Sequence, residues 1–271
     1  MIIFFKISLS NKRTKYTMIF IGKINIKENV IMDKRLVVIT GASSGIGKAT
    51  AKRLSNEGYP LLLIARRAEK LEELNFPNTL CMKVDVTDRK SFEDAIKAAE
   101  DKFGPVDCII NNAGKMLLGQ IDAQNPEEWK TMSDLNVLAV LNGIQIVLSG
   151  MKERKRGTII NIGSIAGKKS FGDHAAYCGT KFAVHAINET IREEHCSDNI
   201  RVTTIAPGAV ETELLSHTTS KAIIEGYEEF KKSMDGALEP DDIARAISFA
   251  YNQPQNVNIR EIDLSATKQQ A

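Results

Sequence analysis

Tyr177 and Lys181 are the residues whose types and spacing most directly predict chemistry in this sequence. Residues four positions apart lie on one face of a helix, a turn from each other. A lysine cation beside a tyrosine favours the phenolate, which lowers the phenol pKa from its ordinary value of about 10. Such a phenol can donate or accept a proton near neutral pH. The same spacing is compatible with an exposed aromatic residue beside a solvated lysine, so the rest of the chain must decide between these interpretations.

The elements that would position this pair alternate along the chain. Seven short apolar runs, rich in Val, Ile and Leu, are separated by amphipathic helical patterns. Such strands are typical of a parallel sheet buried on both faces, with right-handed crossovers through helices. We therefore predict an α/β fold with a seven-stranded parallel sheet, helices on both of its faces, and a single domain. The predicted strands are 36–40, 60–65, 79–84, 106–111, 158–162, 200–206 and 257–262, and the predicted helices are about 45–57, 67–74, 88–103, 126–152, 173–196 and 239–252.

The N-terminal segment differs in composition from the rest. Residues 1–31 are rich in Ile, Lys, Asn and Phe, and Met32 shortly precedes the first predicted strand. This composition is expected of translated AT-rich noncoding DNA. We predict that 1–31 is an extension that is not native or is disordered, and that the domain is 32–271. Without the extension, 30 basic and 33 acidic residues remain, a net charge of −3, which does not indicate a nucleic-acid partner.

Cysteine, histidine and hydropathy patterns exclude further classes. Cys81, Cys108, Cys178 and Cys196 have no CxxC spacing and are expected to be reduced thiols of a cytoplasmic protein. The four histidines lack metal-ligand spacing, so no metal is predicted. No apolar run approaches the roughly 20 residues that span a bilayer, so no membrane partner is predicted.

A glycine-rich turn follows the first predicted strand. Glycines there let the backbone turn sharply and approach a pyrophosphate, and the N-terminus of the next helix provides free N–H groups with a partial positive charge. The spacing is GxxxGxG. Its position after the first strand of an alternating fold favours dinucleotide binding over a plain helix-entry loop. The predicted contacts are Gly41, Ser43, Ser44, Gly45, Ile46 and Gly47.

The residues at the end of the second predicted strand indicate which nicotinamide cofactor binds. An NAD site usually has Asp or Glu there, for the ribose 2′-hydroxyl. This sequence has Arg66 and Arg67, and no carboxylate before Glu69. Guanidinium groups match a 2′-phosphate. We predict NADP as the cofactor, with Arg66 as the principal contact and Arg67 assisting; the alternative is two solvated arginines at the start of a helix.

Together these motifs resemble the short-chain dehydrogenase/reductase family, in its compact single-domain branch. The similarity extends over nearly all of residues 34–262. It implies a Rossmann-type doubly wound fold and an oxidoreductase that interconverts a carbonyl compound and its alcohol. Besides the turn at 40–47, the motifs that carry the resemblance are Asp85-Val86, Asn111-Asn112-Ala113-Gly114, Asn136, Ser164, Tyr177, Lys181 and Pro207-Gly208.

The resemblance implies catalytic roles for four residues. Tyr177 is expected to be the general acid in reduction and the general base in oxidation, and Ser164 to polarise the carbonyl oxygen. Lys181 is expected to lower the Tyr177 pKa and to bind the nicotinamide ribose, and Asn136 to hold a water for proton relay. Further cofactor contacts are expected from Asp85 and Val86 near the adenine, from Asn111, Asn112, Ala113 and Gly114 beside the adenosine ribose, and from Pro207, Gly208 and Thr212 at the nicotinamide end.

The substrate is less closely defined. Residues 209–236 are expected to form a lid, and 256–269 resembles the branch of bacterial NADP-dependent 3-hydroxy acid and serine dehydrogenases. That resemblance implies a small hydroxy acid or its semialdehyde as substrate, and the family's common assembly implies a homotetramer. The alternatives are a reductase of 3-oxoacyl, aldehyde or ketone substrates and a non-catalytic NADP-sensing regulator. The larger epimerases and dehydratases with a Tyr/Lys pair carry an extra C-terminal domain for which this chain has no room.

Overall fold

Seven strands form one parallel sheet in residues 34–270, the part of the chain that this computed structural model describes. The strands are β1 (Leu36–Thr40), β2 (Leu61–Ala65), β3 (Thr79–Lys83), β4 (Val106–Asn111), β5 (Gly157–Ile162), β6 (Ile200–Pro207) and β7 (Glu261–Leu264). Their order across the sheet is β3-β2-β1-β4-β5-β6-β7. The order and the parallel pairing confirm the predicted doubly wound α/β fold. The predicted extension, 1–31, lies outside the described residues.

The direction of the crossovers reverses at β1. Strands β2 and β4 pair with opposite edges of β1, so the loops that leave the carboxyl ends of β1 and β4 diverge. Diverging loops leave a crevice at that edge, which is where doubly wound sheets bind ligands. Thr40 ends β1 and Asn111 ends β4, so the segments after these two residues form the walls of the crevice.

Helices cover both faces of the sheet. They are α1 (Gly45–Asn56), α2 (Ala68–Glu72), α3 (Arg89–Phe103), α4 (Pro126–Ser133), α5 (Ala139–Glu153), α6 (Ala175–Glu194), α7 (Lys221–Ser233) and α8 (Pro240–Tyr251). Phe92 of α3 and Ile144 of α5 lie in the core on one face, and Leu54 of α1 and Ile247 of α8 lie in the core on the other. Burial of these apolar faces holds the crevice rigid.

The last strand differs most from the sequence prediction. The last strand was expected at 257–262, but β7 is Glu261–Leu264, because the residues before it form a turn in which Val257 N–H donates to the Pro254 carbonyl. Along β7, exposed and partly buried residues alternate, and none of β3 is fully buried. A strand paired on one side only keeps one edge in water, so charged residues are tolerated there.

The helix predicted at 126–152 contains a break in its regular geometry. Helices α4 and α5 join through a π-helical turn at Asp134–Leu138, so one extra residue enters the helix there. The segment Pro126–Glu153 has a window of mean hydropathy 1.4 and by length and composition is able to cross a membrane. The expectation that no apolar run approaches this length is therefore wrong. Its buried side chains, such as Ile144, pack in the core under the sheet, and the absence of a membrane partner stays a prediction.

A chain of buried asparagine amides crosses the centre of the fold. Asn111 donates from Nδ2 to Asn161 Oδ1 at 2.7 Å, Asn161 donates to Asn188, and Asn188 donates to the Thr204 hydroxyl. All four side chains are buried. Each amide in such a chain is hydrogen-bonded to a neighbour that water cannot reach. Removing Asn161 therefore leaves the Asn111 donor and the Asn188 acceptor without that partner.

Asn161→Ala should therefore lower the free energy of unfolding by about 3 kcal/mol, measured by urea denaturation. Asn142→Ala is the matched control, because the Asn142 amide oxygen accepts only a solvent-exposed bond from Arg89 at 3.2 Å. We expect the control to change stability by less than about 0.5 kcal/mol. Equal losses in the two variants would contradict the role of the buried chain.

Candidate active site

The glycine-rich turn after β1 has a backbone that only glycine adopts readily. Gly41 has φ +66° and Gly45 φ +50°, both left-handed. A Cβ on Gly41 would lie 2.9 Å from the Ala113 Cα, and one on Gly47 would lie 2.4 Å from the Gly41 carbonyl oxygen. Gly47 was predicted to contact the cofactor, but it does not line the cleft; it lets α1 pack tightly against the turn.

The start of α1 is available for an anion. Ser44 is the N-cap residue, its side chain makes no capping bond, and no acidic residue lies in the first turn. Free N–H groups at such a helix end favour a phosphate. The opposite wall supports the turn, because Asn112 donates from Nδ2 to the Thr40 carbonyl at 2.9 Å and Ala113 N–H donates to Thr40 Oγ1 at 3.0 Å. The cradle therefore fits a pyrophosphate.

Arg67 connects the end of β2 to this turn. Its Nη2 donates to Ser44 Oγ at 2.8 Å and to Ser43 Oγ at 3.3 Å, and its Nη1 lies 2.7 Å from Glu213 Oε2. Arg66 is exposed and lines the same end of the cleft. The Arg67 guanidinium thus lies beside the cradle, and contact of either arginine with a 2′-phosphate stays a prediction.

Asp85 and Val86 follow β3 and line the cleft, and their predicted contact with the adenine stays a prediction. Thr87 donates to Asp85 Oδ1 from its backbone N–H at 3.0 Å and from its hydroxyl at 2.7 Å. Burial works to raise the pKa of Asp85, but these hydrogen bonds, with Arg66 and Lys115 nearby, lower it below its usual value. The carboxylate is therefore charged and fixed in direction, which suits an acceptor for an amino group.

Ser164 and Tyr177 meet at the other end of the cleft. Tyr177 lies in the first turn of α6, Ser164 follows β5, and both line the cleft, where the Ser164 side chain acts to lower the Tyr177 pKa. Ser164 Oγ also accepts from the Ala166 backbone N–H at 3.0 Å, which fixes its direction. Both side chains are largely buried, with Tyr177 5% and Ser164 8% exposed. Two hydroxyl groups thus converge on one point of the cleft.

Lys181 lies one turn after Tyr177, as the spacing predicts. Its Nζ donates to the Ile162 carbonyl at 2.8 Å and lies 5.7 Å from the centre of the Tyr177 ring. Burial lowers the pKa of Lys181 to about 8. Burial also raises the pKa of Tyr177 well above its ordinary value, and the Ser164 hydrogen bond only partly offsets this. The sequence predicted a lowered Tyr177 pKa, and in the protein alone that prediction is wrong, because desolvation by burial outweighs the contribution of Ser164.

Asn136 lies in the π-helical turn behind Lys115. Its Oδ1 accepts from the Lys115 N–H at 2.9 Å, and its Nδ2 donates to the Lys115 carbonyl at 2.9 Å and to Thr180 Oγ1 at 3.1 Å. Thr180 donates in turn to the Tyr177 carbonyl at 2.8 Å. Asn136 is buried and does not line the cleft. Its side chain joins α6 to the segment after β4, and the predicted water contact stays a prediction.

The segment after β6 closes the site. Thr212 packs on the glycine-rich turn, since a Cβ on Gly45 would lie 3.0 Å from the Thr212 methyl carbon. Gln269, which follows β7, reaches back to this segment, and its Oε1 accepts from the Ala209 N–H at 3.1 Å. The expected lid, 209–236, contains a short 3-10 turn at Glu213–His217 and α7, and both contribute to the cleft wall.

One cleft of about 1460 Å³ brings these parts together. Its wall near Tyr177 is apolar, with Phe171, Leu214, Ile223 and Tyr227 on it. Apart from Gly47, Asn111 and Asn136, every predicted site residue lines it: Gly41, Ser43, Ser44, Gly45, Ile46, Arg66, Arg67, Asp85, Val86, Asn112, Ala113, Gly114, Ser164, Tyr177, Lys181, Pro207, Gly208 and Thr212.

Comparisons with known proteins show the family of this chain. A sequence model described as short chain dehydrogenase matches residues 35–222, more than half of the chain. The chain belongs to the short-chain dehydrogenase family. An uncharacterized oxidoreductase of Staphylococcus saprophyticus is 41% identical to this dehydrogenase over 247 residues, which are 89% of this chain and 99% of the relative.

Two solved structures resemble this dehydrogenase closely. The closed form of a serine dehydrogenase complexed with NADP+ has a TM-score of 0.82 and 29% identity, covering 87% of this chain and 96% of its own. An alcohol dehydrogenase from the archaeon Thermococcus sibiricus, complexed with 5-hydroxy-NADP, has a TM-score of 0.77 and 28% identity, covering 88% of this chain and 99% of its own.

Several cleft residues of this dehydrogenase were not predicted as individual site residues. Lys115, Glu213, His217 and Gln269 line the cleft, yet none belongs to a motif with fixed spacing. Glu213 carried one usable signal, because it directly follows Thr212, which was predicted. Gln269 carried none, since it reaches the cleft only through the path of the chain after β7.

Proposed function

We propose that this dehydrogenase interconverts a carbonyl compound and its alcohol with NADP(H), and that Tyr177 transfers the proton. The convergence of Ser164, Tyr177 and Lys181 in a cleft that continues to an anion-binding turn carries the proposal. The oxidoreductase relatives and the NADP-bound neighbours support it. Bound NADPH would supply the hydride, while the protein supplies position and the proton.

In the reductive direction Tyr177 begins protonated, because burial raises its pKa. Ser164 donates a hydrogen bond to the carbonyl oxygen and polarises it, and Tyr177 delivers its proton to the same oxygen as negative charge develops there. Lys181 is charged below pH about 8, and its ammonium stabilises the phenolate that remains. In oxidation the same groups act in reverse, with Tyr177 as the base.

For cofactor selection we propose both arginines, with Arg67 in the leading position. The sequence favours Arg66, but the Arg67 guanidinium already contacts the serines of the phosphate turn. Glu213 holds the other side of Arg67 and also lies 3.1 Å from Lys70. A 2′-phosphate would therefore compete with Glu213 for the same guanidinium group.

Arg67→Ala should lower kcat/KM with NADPH by about 10- to 100-fold, because charge-assisted hydrogen bonds of this kind contribute about 1.5–3 kcal/mol. With NADH the change should stay within about threefold, since no 2′-phosphate is lost. Initial rates with each cofactor measure both values. A wild-type enzyme that uses NADH as efficiently as NADPH would contradict the proposed cofactor.

Two further variants serve as controls for Arg67. Arg66→Ala removes an equal charge from the same end of the cleft, and we expect it to weaken NADPH use less. Glu213→Gln removes the competing carboxylate, so NADPH should bind a few-fold more tightly by fluorescence titration. A larger loss of kcat/KM with NADPH in Arg66→Ala than in Arg67→Ala would make Arg66 the principal contact, as the sequence favours.

For the substrate we propose a small 3-hydroxy acid such as serine, or the matching semialdehyde. The C-terminal resemblance and the structural similarity to a serine dehydrogenase support this class. The apolar wall with Phe171 and Tyr227 favours a second candidate, an uncharged aldehyde or ketone or a 3-oxoacyl compound. NADP-dependent oxidation of L-serine and 3-hydroxy acids, run beside NADPH oxidation with aldehydes, ketones and 3-oxo acids, separates the two by kcat/KM.

We also propose a cytoplasmic homotetramer. Leu138, Leu141, Phe182 and Phe249 are large apolar side chains exposed on the helices, which suits burial between subunits. The four cysteines are free, as expected for a reducing compartment. Light scattering of the purified protein measures the assembly, and a monomer would contradict it.

A further inference from the structure

His185 lies on α6 one turn after Lys181 and two turns after Tyr177, on the same helix face. Its side chain is only 15% exposed, and its Nδ1 lies 3.1 Å from Glu261 Oε1 on β7. It does not line the cleft, so it touches neither substrate nor cofactor there. A largely buried histidine side chain on the helix that carries Tyr177 and Lys181, paired with a carboxylate, calls for a physical explanation.

The His185 ring packs against the turn that carries Ser164. A Cβ on Gly163 would lie 2.5 Å from His185 Nε2, and a Cβ on Gly167 would lie 2.5 Å from the ring Cδ2. Glycine at both positions lets the backbone on either side of Ser164 rest on the imidazole. The position of this turn relative to α6 therefore depends on the ring.

Lys168, which directly follows the Ser164 turn, forms ion pairs with two carboxylates of β7. Its Nζ lies 2.9 Å from Glu261 Oε2 and 2.6 Å from Asp263 Oδ2. Glu261 thus pairs with His185 through one oxygen and with Lys168 through the other. The three side chains link α6 and the Ser164 turn to β7, which is far from both in sequence.

Charged groups face His185 from each of these segments. Burial lowers the pKa of His185, and Lys168 acts in the same direction, while Glu261, Asp263 and the Ser164 backbone oppose the change. The Lys181 carbonyl lies beside the ring as well, next to Gly167. The ring is therefore neutral near pH 7, and a neutral imidazole whose Nδ1 donates to Glu261 holds one fixed orientation.

We propose that His185, held by Glu261, is a positioning residue that sets the Ser164 hydroxyl against the Tyr177 phenol. The proposal rests on the proposed carbonyl–alcohol function for its kinetic consequences. Ser164 and Tyr177 come from two different segments, and proton transfer needs both at the same oxygen. The His185 ring lies between those segments and fixes their separation.

The kinetic test compares His185→Ala with His195→Ala. His195 also pairs with a carboxylate, Asp198, at 3.0 Å from its Nδ1, but it lies at the far end of α6. His185→Ala should lower kcat by about 10- to 100-fold, because a displacement of about 1 Å costs that much, and should change the substrate KM and the NADPH affinity by less than about threefold. His195→Ala should leave kcat unchanged.

Conservative variants separate positioning from general stability. His185→Gln keeps a donor of similar reach and should recover most of kcat, whereas Glu261→Gln keeps the ring but weakens its anchor and should lower kcat several-fold. Equal kcat in His185→Ala and wild type, or equal losses in His185→Ala and His195→Ala, would overturn the proposal. These two conservative variants also decide the question if His185→Ala does not fold.

Hydrogen exchange provides a readout that needs no substrate. In the Ser164 turn, Ala166 N–H donates to Ser164 Oγ at 3.0 Å and Gly167 N–H donates to the Ser164 carbonyl at 2.9 Å. His185→Ala should speed exchange in the peptide containing 163–167, and His195→Ala should not. Unchanged exchange overturns the role of His185, whereas a wild-type enzyme without turnover on any carbonyl or alcohol contradicts only the proposed function.

Discussion

Tyr177→Phe should lower the rate of carbonyl reduction by about a thousandfold or more, because general acid catalysis contributes about 10²–10⁴-fold and the phenylalanine has no proton to give. The ring still fits its buried position, since only the hydroxyl is removed. NADPH should bind with nearly unchanged affinity. Stopped-flow rates and fluorescence titration of NADPH measure the two quantities.

Tyr227→Phe is the matched control for this experiment. Tyr227 lies on the wall of the same cleft, and burial raises the pKa of its phenol as well. We expect its loss to change kcat by less than about tenfold, because no proton passes through it. If Tyr177→Phe kept full turnover, Tyr177 would not be the acid. A wild-type chain that binds NADPH without any turnover would instead favour the regulator.

Carbonyl reduction should slow as the pH rises through about 8, the pKa of Lys181. Burial favours the neutral amine of Lys181 and therefore lowers its pKa. The ammonium is present below this pKa and is lost above it, and with it the positive charge that stabilises the Tyr177 phenolate. The measurement is kcat/KM for reduction at saturating NADPH from pH 6 to pH 10.

Lys181→Met should lower kcat by about 100-fold and remove this alkaline decline. Lys181→Arg retains a charge across the whole range, since the guanidinium pKa is above about 12, so any activity that it keeps should be flat through pH 8. An alkaline decline of unchanged midpoint in Lys181→Met would assign it to another group.

The Tyr177–Lys181 pair shows where sequence reasoning ends. A spacing of four predicts that the two side chains share a helix face, and they do. It cannot predict desolvation, which depends on what else packs around the face. Here burial raises the pKa of Tyr177 and lowers that of Lys181, so the phenol is held as an acid rather than as a ready base.

The sequence by itself determined the family, the parallel direction of the strands and the glycine-rich turn. These depend on hydrophobic periodicity and on local backbone conformation, both of which are written in neighbouring residues. At Gly41 and Gly45, for instance, the turn has positive φ values, which glycine adopts more readily than other residues.

Only the tertiary structure decided how distant segments meet. It placed Arg67 on the glycine-rich turn, brought Gln269 to the cleft, and joined His185 to Glu261. These contacts depend on the crossovers and on the register of β7 against β6, which side-chain packing over the whole core selects. No short stretch of sequence contains that information, because each contact is made between residues that become neighbours only when the sheet is complete.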